Sequence, residues 1–290
     1  MNDFHGLPVA ILENKILRLE YLTSAGPRIV GLSYRGSPNL LADAHDISCE
    51  TPYGKYFYLG GHRLWISPET PEKTRIPDNS GLQVREFPGG VELTGDHEPG
   101  SGVRKTLQVE LEVNKPIVRL YHTVLNENPD PITLAPWAIS MFQQGGTVLL
   151  PQPVGAADPH GLLNNRLMAL WPYTRINDPR LILRDDFILI NATPGLPPIK
   201  IGCFNTDGWL AYWREGILFR KNFDLQLDAT YPDGGCNTES YCDDRIVELE
   251  TLGPLETLAP GAAAYLTETW ELYPGLELDF IPVGIWDLIS

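Results

Sequence analysis

Glycine and proline punctuate this chain from end to end: 27 and 26 of them fall among 290 residues, without gathering into a linker. Proline ends regular elements because it lacks an amide donor, and glycine because it adopts turn dihedrals freely. Spread so evenly, they leave room only for short elements. The stretches between them alternate. Residues 15–22 put Leu17, Leu19 and Tyr21 on one face, and residues 28–34 resume after the Ala25-Gly26-Pro27 turn. The same two-residue period of a pleated strand fits 82–87, 91–95, 103–113, 117–126, 132–142 and 147–150, then 181–191, 199–204, 209–213, 217–220, 245–251 and 264–273. Runs of strands at this spacing predict an all-β, antiparallel sandwich or barrel. No fixed-period repeat recurs, which argues against a propeller or solenoid. One short helix is expected, opened by Asp158-Pro159 and running to Leu170 before Pro172 stops it.

A chain of this length can bury about 75% of its unfolded surface, and all-β folds of such size remain single domains, so one domain over 1–290 is expected. Asp and Glu outnumber Lys and Arg by 37 to 22, a formal charge of -15. A field of that sign repels nucleic acid and anionic membranes, and no Lys/Arg run opposes it. Neutral or cationic small ligands are favoured. Cys49, Cys203, Cys236 and Cys242 contain no C-x-x-C pair, and they read as buried thiols, although Cys236 and Cys242 lie close enough in sequence to bridge. The first twenty residues scatter charges and hold no continuous apolar run, nor does any run of 18 apolar residues occur, so a cytoplasmic protein is expected.

Two stretches concentrate chemistry. In the first, strand alternation over 245–251 sets Ile246, Glu248 and Glu250 on one face, with Glu239 just upstream after a Gly-Gly turn. Carboxylates held that close raise at least one pKa, which makes a general base near neutral pH; an ordinary solvated strand face gives the same spacing. In the second, Gly60-Gly61-His62-Arg63-Leu64-Trp65, the glycines allow close backbone approach while His62, Arg63 and Trp65 offer a proton-transfer group, a forked donor and an apolar platform. Those suit a sugar's hydroxyls and its C–H face. A turn leading into a half-buried strand would use the same residues. His122, on an apolar strand face, reads as a satisfied core histidine, and His97 as a solvated loop residue. Metal signatures are weak, and no nucleotide or serine-hydrolase motif is present, so neither a metal nor a cofactor is expected, although the acidic cluster of Asp228, Asp233, Glu239, Asp243 and Asp244 leaves a bound calcium open.

In their order along the chain, several of these segments resemble the galactose mutarotase-like (aldose 1-epimerase) superfamily: SAGPRIVGL (24–32), VRLYHTVLNENPDPITL (118–134), VELETLGP (247–254) and LETLAPG (255–261). GGHRLW (60–65) is similar to a Gly-Gly-x-x-x-Trp-Pro loop in the sugar-phosphate branch. The resemblance implies a large antiparallel β-supersandwich whose concave face takes a small-molecule sugar. By position, it makes Glu250 the base that removes the anomeric proton and Arg63 a hydroxyl-binding donor; Trp65, Trp137, Glu239 and Glu248 are expected to line the pocket with them. Mutarotation takes a proton from O1 while delivering one to the ring oxygen, so two groups are needed. The family's acid is a histidine in the strand after the Asn turn. Trp137-Ala138-Ile139-Ser140 fills that place here, which leaves His62, beside Arg63, as the replacement acid. The alternative is a carbohydrate-binding protein that kept the cleft without the catalysis. A polysaccharide lyase or hydrolase, which uses the same sandwich as one of its domains, is disfavoured by the missing helical toroid.

Overall fold

The computed structural model describes residues 3–277. The single-domain expectation also took in residues 1–2 and 278–290, which lie outside the described residues. Two large antiparallel sheets dominate. The first runs, in spatial order, Asp3–Phe4, Leu7–Glu13, Leu17–Leu22, Ile29–Tyr34, His62–Ser67, Ile132–Gln143, Ile246–Leu252, Thr238–Cys242, Ile199–Cys203 and Met168–Leu170, with Glu256–Leu258 paired to the start of the long Ile132–Gln143 strand. The second runs Leu181–Leu183, Phe187–Asn191, Thr147–Pro151, Trp209–Arg214, Ile217–Phe223, Ala263–Pro274, Ile117–Asn126, Val103–Leu111, Gly90–Thr94 and Gln83–Phe87. A separate ribbon, Asp43–Thr51 with Gly54–Gly60, stands apart from both.

Alternation decides which side chains meet between the sheets. Leu19, Leu32, Phe142, Val247 and Leu249 from the first sheet pack against Leu107, Leu120, Phe219 and Trp270 from the second. Residues one position away on the first sheet therefore point outward, and that outward face carries the site described below.

Most expected strands form within a residue or two of their expected limits. The helix is the main correction: residues 158–170 contain no helix, and the one helix among the described residues is the single turn Pro71–Thr74. Asp158 does accept amides from His160, Leu162 and Leu163, the hydrogen bonding of a helix cap, but the chain leaves it as a turn and re-enters the sheet edge at Met168–Leu170. The stretch 181–191 divides into a hairpin, with Leu183 opposite Ile188.

Gly60 and Gly61 serve the backbone rather than a ligand. Both have positive φ, and a Cβ on Gly61 would lie 1.9 Å from the Ile29 carbonyl oxygen, as one on Gly60 would lie 2.1 Å from that of Ala42. The pair lets the ribbon cross into the first sheet at van der Waals contact. Gly61→Ala meets both a forbidden dihedral and a main-chain clash, and is expected to cost more than about 1 kcal/mol in denaturant unfolding.

His62 opens the strand His62–Ser67 and points between the sheets, opposite to Arg63. Its Nδ1 lies 2.9 Å from Ser140 Oγ and its Nε2 2.8 Å from His122 Nε2, while His122 Nδ1 lies 2.9 Å from the Leu266 carbonyl. A carbonyl only accepts, so His122 Nδ1 carries the proton and its Nε2 accepts from His62 Nε2–H; His62 Nδ1 then accepts from the Ser140 hydroxyl. Both rings are thus neutral and fully used. Burial holds both below the ordinary histidine pKa, with His122 adding to the effect on His62. The unfolded chain binds the extra protons first, so this contribution is complete above about pH 6.5 and is lost as pH falls, by about 1.4 kcal/mol per unit for each ring. His62→Gln is expected to flatten the fall in melting temperature between pH 6.5 and 5.

Beside the histidines, Lys221 Nζ sits 2.8 Å from Glu268 Oε1 and donates to the carbonyls of Ala138 and Leu249, and Glu268 also accepts from Thr251 and from Trp270 Nε1. The sandwich thus encloses a satisfied polar cluster, which meets the rule that buried charges are paired.

Candidate active site

Register builds the site. Across the middle of the first sheet, Arg63 stands level with Ile139, Ile139 with Glu250, and Glu250 with Glu239. One pleat along, Met141 is level with Glu248, Glu248 with Tyr241, and Tyr241 with Lys200. Trp65 and Trp137 face each other in the next row, their rings 5.3 Å apart and edge-to-face. All these side chains leave the sheet on its outward face. They line, or lie beneath, a cleft of about 450 Å³ that the ribbon walls with Ile47, Ser48, Cys49 and Tyr58, and that Glu69, Arg75 and Tyr173 complete.

The floor is a charge cluster. Lys200 Nζ bridges Glu239 Oε2 at 2.7 Å and Glu250 Oε2 at 2.8 Å, and lies 4.5 and 4.6 Å from the ring centres of Trp137 and Trp171. Trp137 Nε1 donates to the same Glu250 oxygen at 2.8 Å. Both carboxylates are fully buried, and only the ammonium above them reaches the cleft. Burial pushes Glu239 well above the usual carboxylate range; Lys200 opposes that and Glu250 adds to it. Lys200 is held firmly charged, the two carboxylates outweighing the cost of burying it.

Glu248 is different, because its carboxylate lies at the cleft surface. Burial, opposed by Arg63 and reinforced by Glu250, raises its pKa to about 7. Its contact with Arg63 is long, 3.3 Å from Nη2 to Oε1. The Arg63 guanidinium stacks 4.1 Å over Trp65 and 5.6 Å from Tyr58, and its Nη1 meets only the Met141 sulfur at 3.4 Å. Among the described residues its Nε has no hydrogen-bond partner. A buried arginine with free donors, beside a carboxylate whose pKa is near 7 and five aromatic side chains, can hold a polyhydroxyl ligand and exchange a proton with it.

Of the residues expected from sequence, Arg63, Trp65, Trp137, Glu239, Glu248 and Glu250 share this face. His62 does not: the pleat that aims Arg63 into the cleft aims His62 between the sheets. Glu250 is on the expected face but lies behind Lys200, whereas Glu248, though itself largely buried, lines the cleft. Lys200 was not among the residues expected at the site. Its signal was a lysine set between Ile199 and Ile201 in an apolar strand, a placement that requires buried counter-charges.

No family model matches the sequence, and no curated protein is similar to it. Solved structures are similar in fold. A galactose mutarotase-like protein from Lactobacillus casei superimposes with a TM-score of 0.61 at 12% identity, over 92% of this chain and 100% of that one. Its fold is the galactose mutarotase-like one. An Escherichia coli K12 protein with the provisional name aldose 1-epimerase gives a TM-score of 0.60 at 12% identity, over 93% of this chain and 100% of its own. A galactose mutarotase-like protein from Clostridium acetobutylicum gives 0.51 at 9%, over 94% and 97%. At such identities the likeness covers the mutarotase-like fold and not the chemistry, which must be argued from the cleft.

Proposed function

We propose that the cleft binds a small sugar and interconverts its anomers, with Glu248 as the base. The observation that carries this reading is Glu248 itself, a carboxylate with a pKa of about 7 at the surface of an aromatic-walled cleft. A base poised near the working pH combines ionised population with proton affinity. In the proposed cycle Glu248 takes the proton from O1, the C1–O5 bond breaks as C1=O1 forms, and O5 takes a proton from solvent entering the cleft, with the fixed charge of the Lys200 ammonium favouring negative charge developing on that oxygen. Glu239 and Glu250, ion-paired behind Lys200, hold that ammonium in place. Rotation about C1–C2 and the reverse steps give the other anomer. Arg63 holds ligand hydroxyls through its free donors, and Trp65 and Trp137 offer apolar faces to the ring C–H groups.

The mutarotase-like fold of the neighbours supports a sugar as the ligand. Two-dimensional exchange NMR on a panel of aldoses, uronates and aldose phosphates tests the proposal: at least one member should show anomer exchange faster than the buffer rate. Line broadening without faster exchange would leave a carbohydrate-binding protein instead.

A further inference from the structure

On the outer surface, His5, Asp43 and His45 converge. His5 Nε2 lies 2.6 Å from one Asp43 oxygen and His45 Nδ1 2.8 Å from the other. The two imidazoles stack with centres 3.3 Å apart and planes 10° from parallel, and because their lone pairs lie in the ring planes, one of these exposed rings must turn out of the stack for both nitrogens to aim at one ion. The three ligand atoms all lie within 4.8 Å of one another.

The geometry points to a divalent transition-metal site formed by His5, Asp43 and His45, with zinc as the best-matched ion. Two imidazole nitrogens and one carboxylate form a three-ligand set typical of open zinc sites, with bonds of about 2.0–2.2 Å. Ligand atoms around a tetrahedral ion are then roughly 3.4 Å apart, so each nitrogen needs to withdraw from the carboxylate by less than about 1 Å. Each of the three side chains is between 40% and 45% exposed, which leaves the fourth position to water. Imidazole favours zinc, copper or nickel, whereas calcium and magnesium prefer all-oxygen sets.

The buried trio of His62, His122 and Glu268 also groups three ligand atoms. There the Lys221 ammonium already holds the carboxylate, and the histidine nitrogens are consumed by Ser140, Leu266 and each other. A cation would have to displace Lys221. Among the described residues the surface trio has no such competitor.

The position gives the site a consequence. His5 lies in the turn between Asp3–Phe4 and Leu7–Glu13, while Asp43 and His45 begin the ribbon that walls the cleft with Ile47, Ser48 and Cys49. A bound ion would staple that wall to the N-terminal hairpin.

Calorimetric titration of zinc into the metal-stripped full chain tests the assignment. One saturable ion per chain is expected. His5→Gln, Asp43→Asn and His45→Gln should each weaken it by at least the roughly 10–100-fold that loss of a mere supporting residue costs a metal site. Excess magnesium should not compete, and zinc should raise the melting temperature of the wild type alone, by mass action. No saturable zinc binding, or equal affinity in all three variants, would overturn the proposal; the variants are at exposed positions and are expected to fold.

Discussion

Lys200→Met is expected to destabilise the protein by about 3–5 kcal/mol, the range for breaking a buried ion pair by removing one partner. The reason lies in the floor of the cleft. Glu239 and Glu250 are adjacent across two strands, both fully buried, and one ammonium serves both. Without it, two carboxylates would face each other in a dry sheet face. Replacing the whole cluster at once, as Lys200→Met/Glu239→Gln/Glu250→Gln, should recover most of the loss, because isosteric neutral groups leave no uncompensated charge. Denaturant unfolding of wild type, single and triple variants checks both halves. A harmless single variant would mean that the lysine does not bridge the acids.

The second large effect is on rate. If Glu248 must be ionised to accept the O1 proton, anomer exchange under subsaturating sugar should rise with pH and level off above about 7, the pKa its surroundings impose. A single group with that pKa is about 1% ionised at pH 5, so the rate there should be about a hundredth of the plateau. Stability moves the other way. The folded chain holds this proton more tightly than the unfolded chain, so ionising Glu248 lowers stability as pH rises from about 4.5 to 7. Because the His62–His122 pair loses stability as pH falls over the same range, the folded fraction is measured at each pH alongside the rate. A flat profile from pH 5 to 8 would remove Glu248 from the role of base.

The sandwich was legible in the sequence because burial on one face imposes alternation, and glycine and proline mark where it stops. The strand Ile246–Leu252 shows how far that reaches: its sequence alone separates Glu248 and Glu250 from Val247, Leu249 and Thr251, and the structure keeps that separation. The same reasoning failed at 158–170, where Asp158 makes a helix cap's hydrogen bonds but the following residues close only a turn. It also failed at His62. Adjacent residues on a strand point apart, so His62 and Arg63 could not both enter one cleft; treating the stretch as a loop hid that. Which of two acids two residues apart lines the cleft was not legible either. That choice is made by Lys200, brought over Glu250 by a strand 50 residues earlier in the chain. Pairing partners at such distance leave no local mark in sequence.

The most direct test of the central claim compares anomer exchange by two-dimensional NMR in wild type and Glu248→Gln, on whichever sugar of the panel the wild type turns over. The substitution keeps the shape of the side chain and removes its basicity, and because it also removes the partner of the buried Arg63, a melting curve on the same sample establishes that the variant is folded. The account predicts exchange slowed by about 10²–10⁴-fold with sugar binding retained. Exchange at the wild-type rate in this folded variant would contradict it.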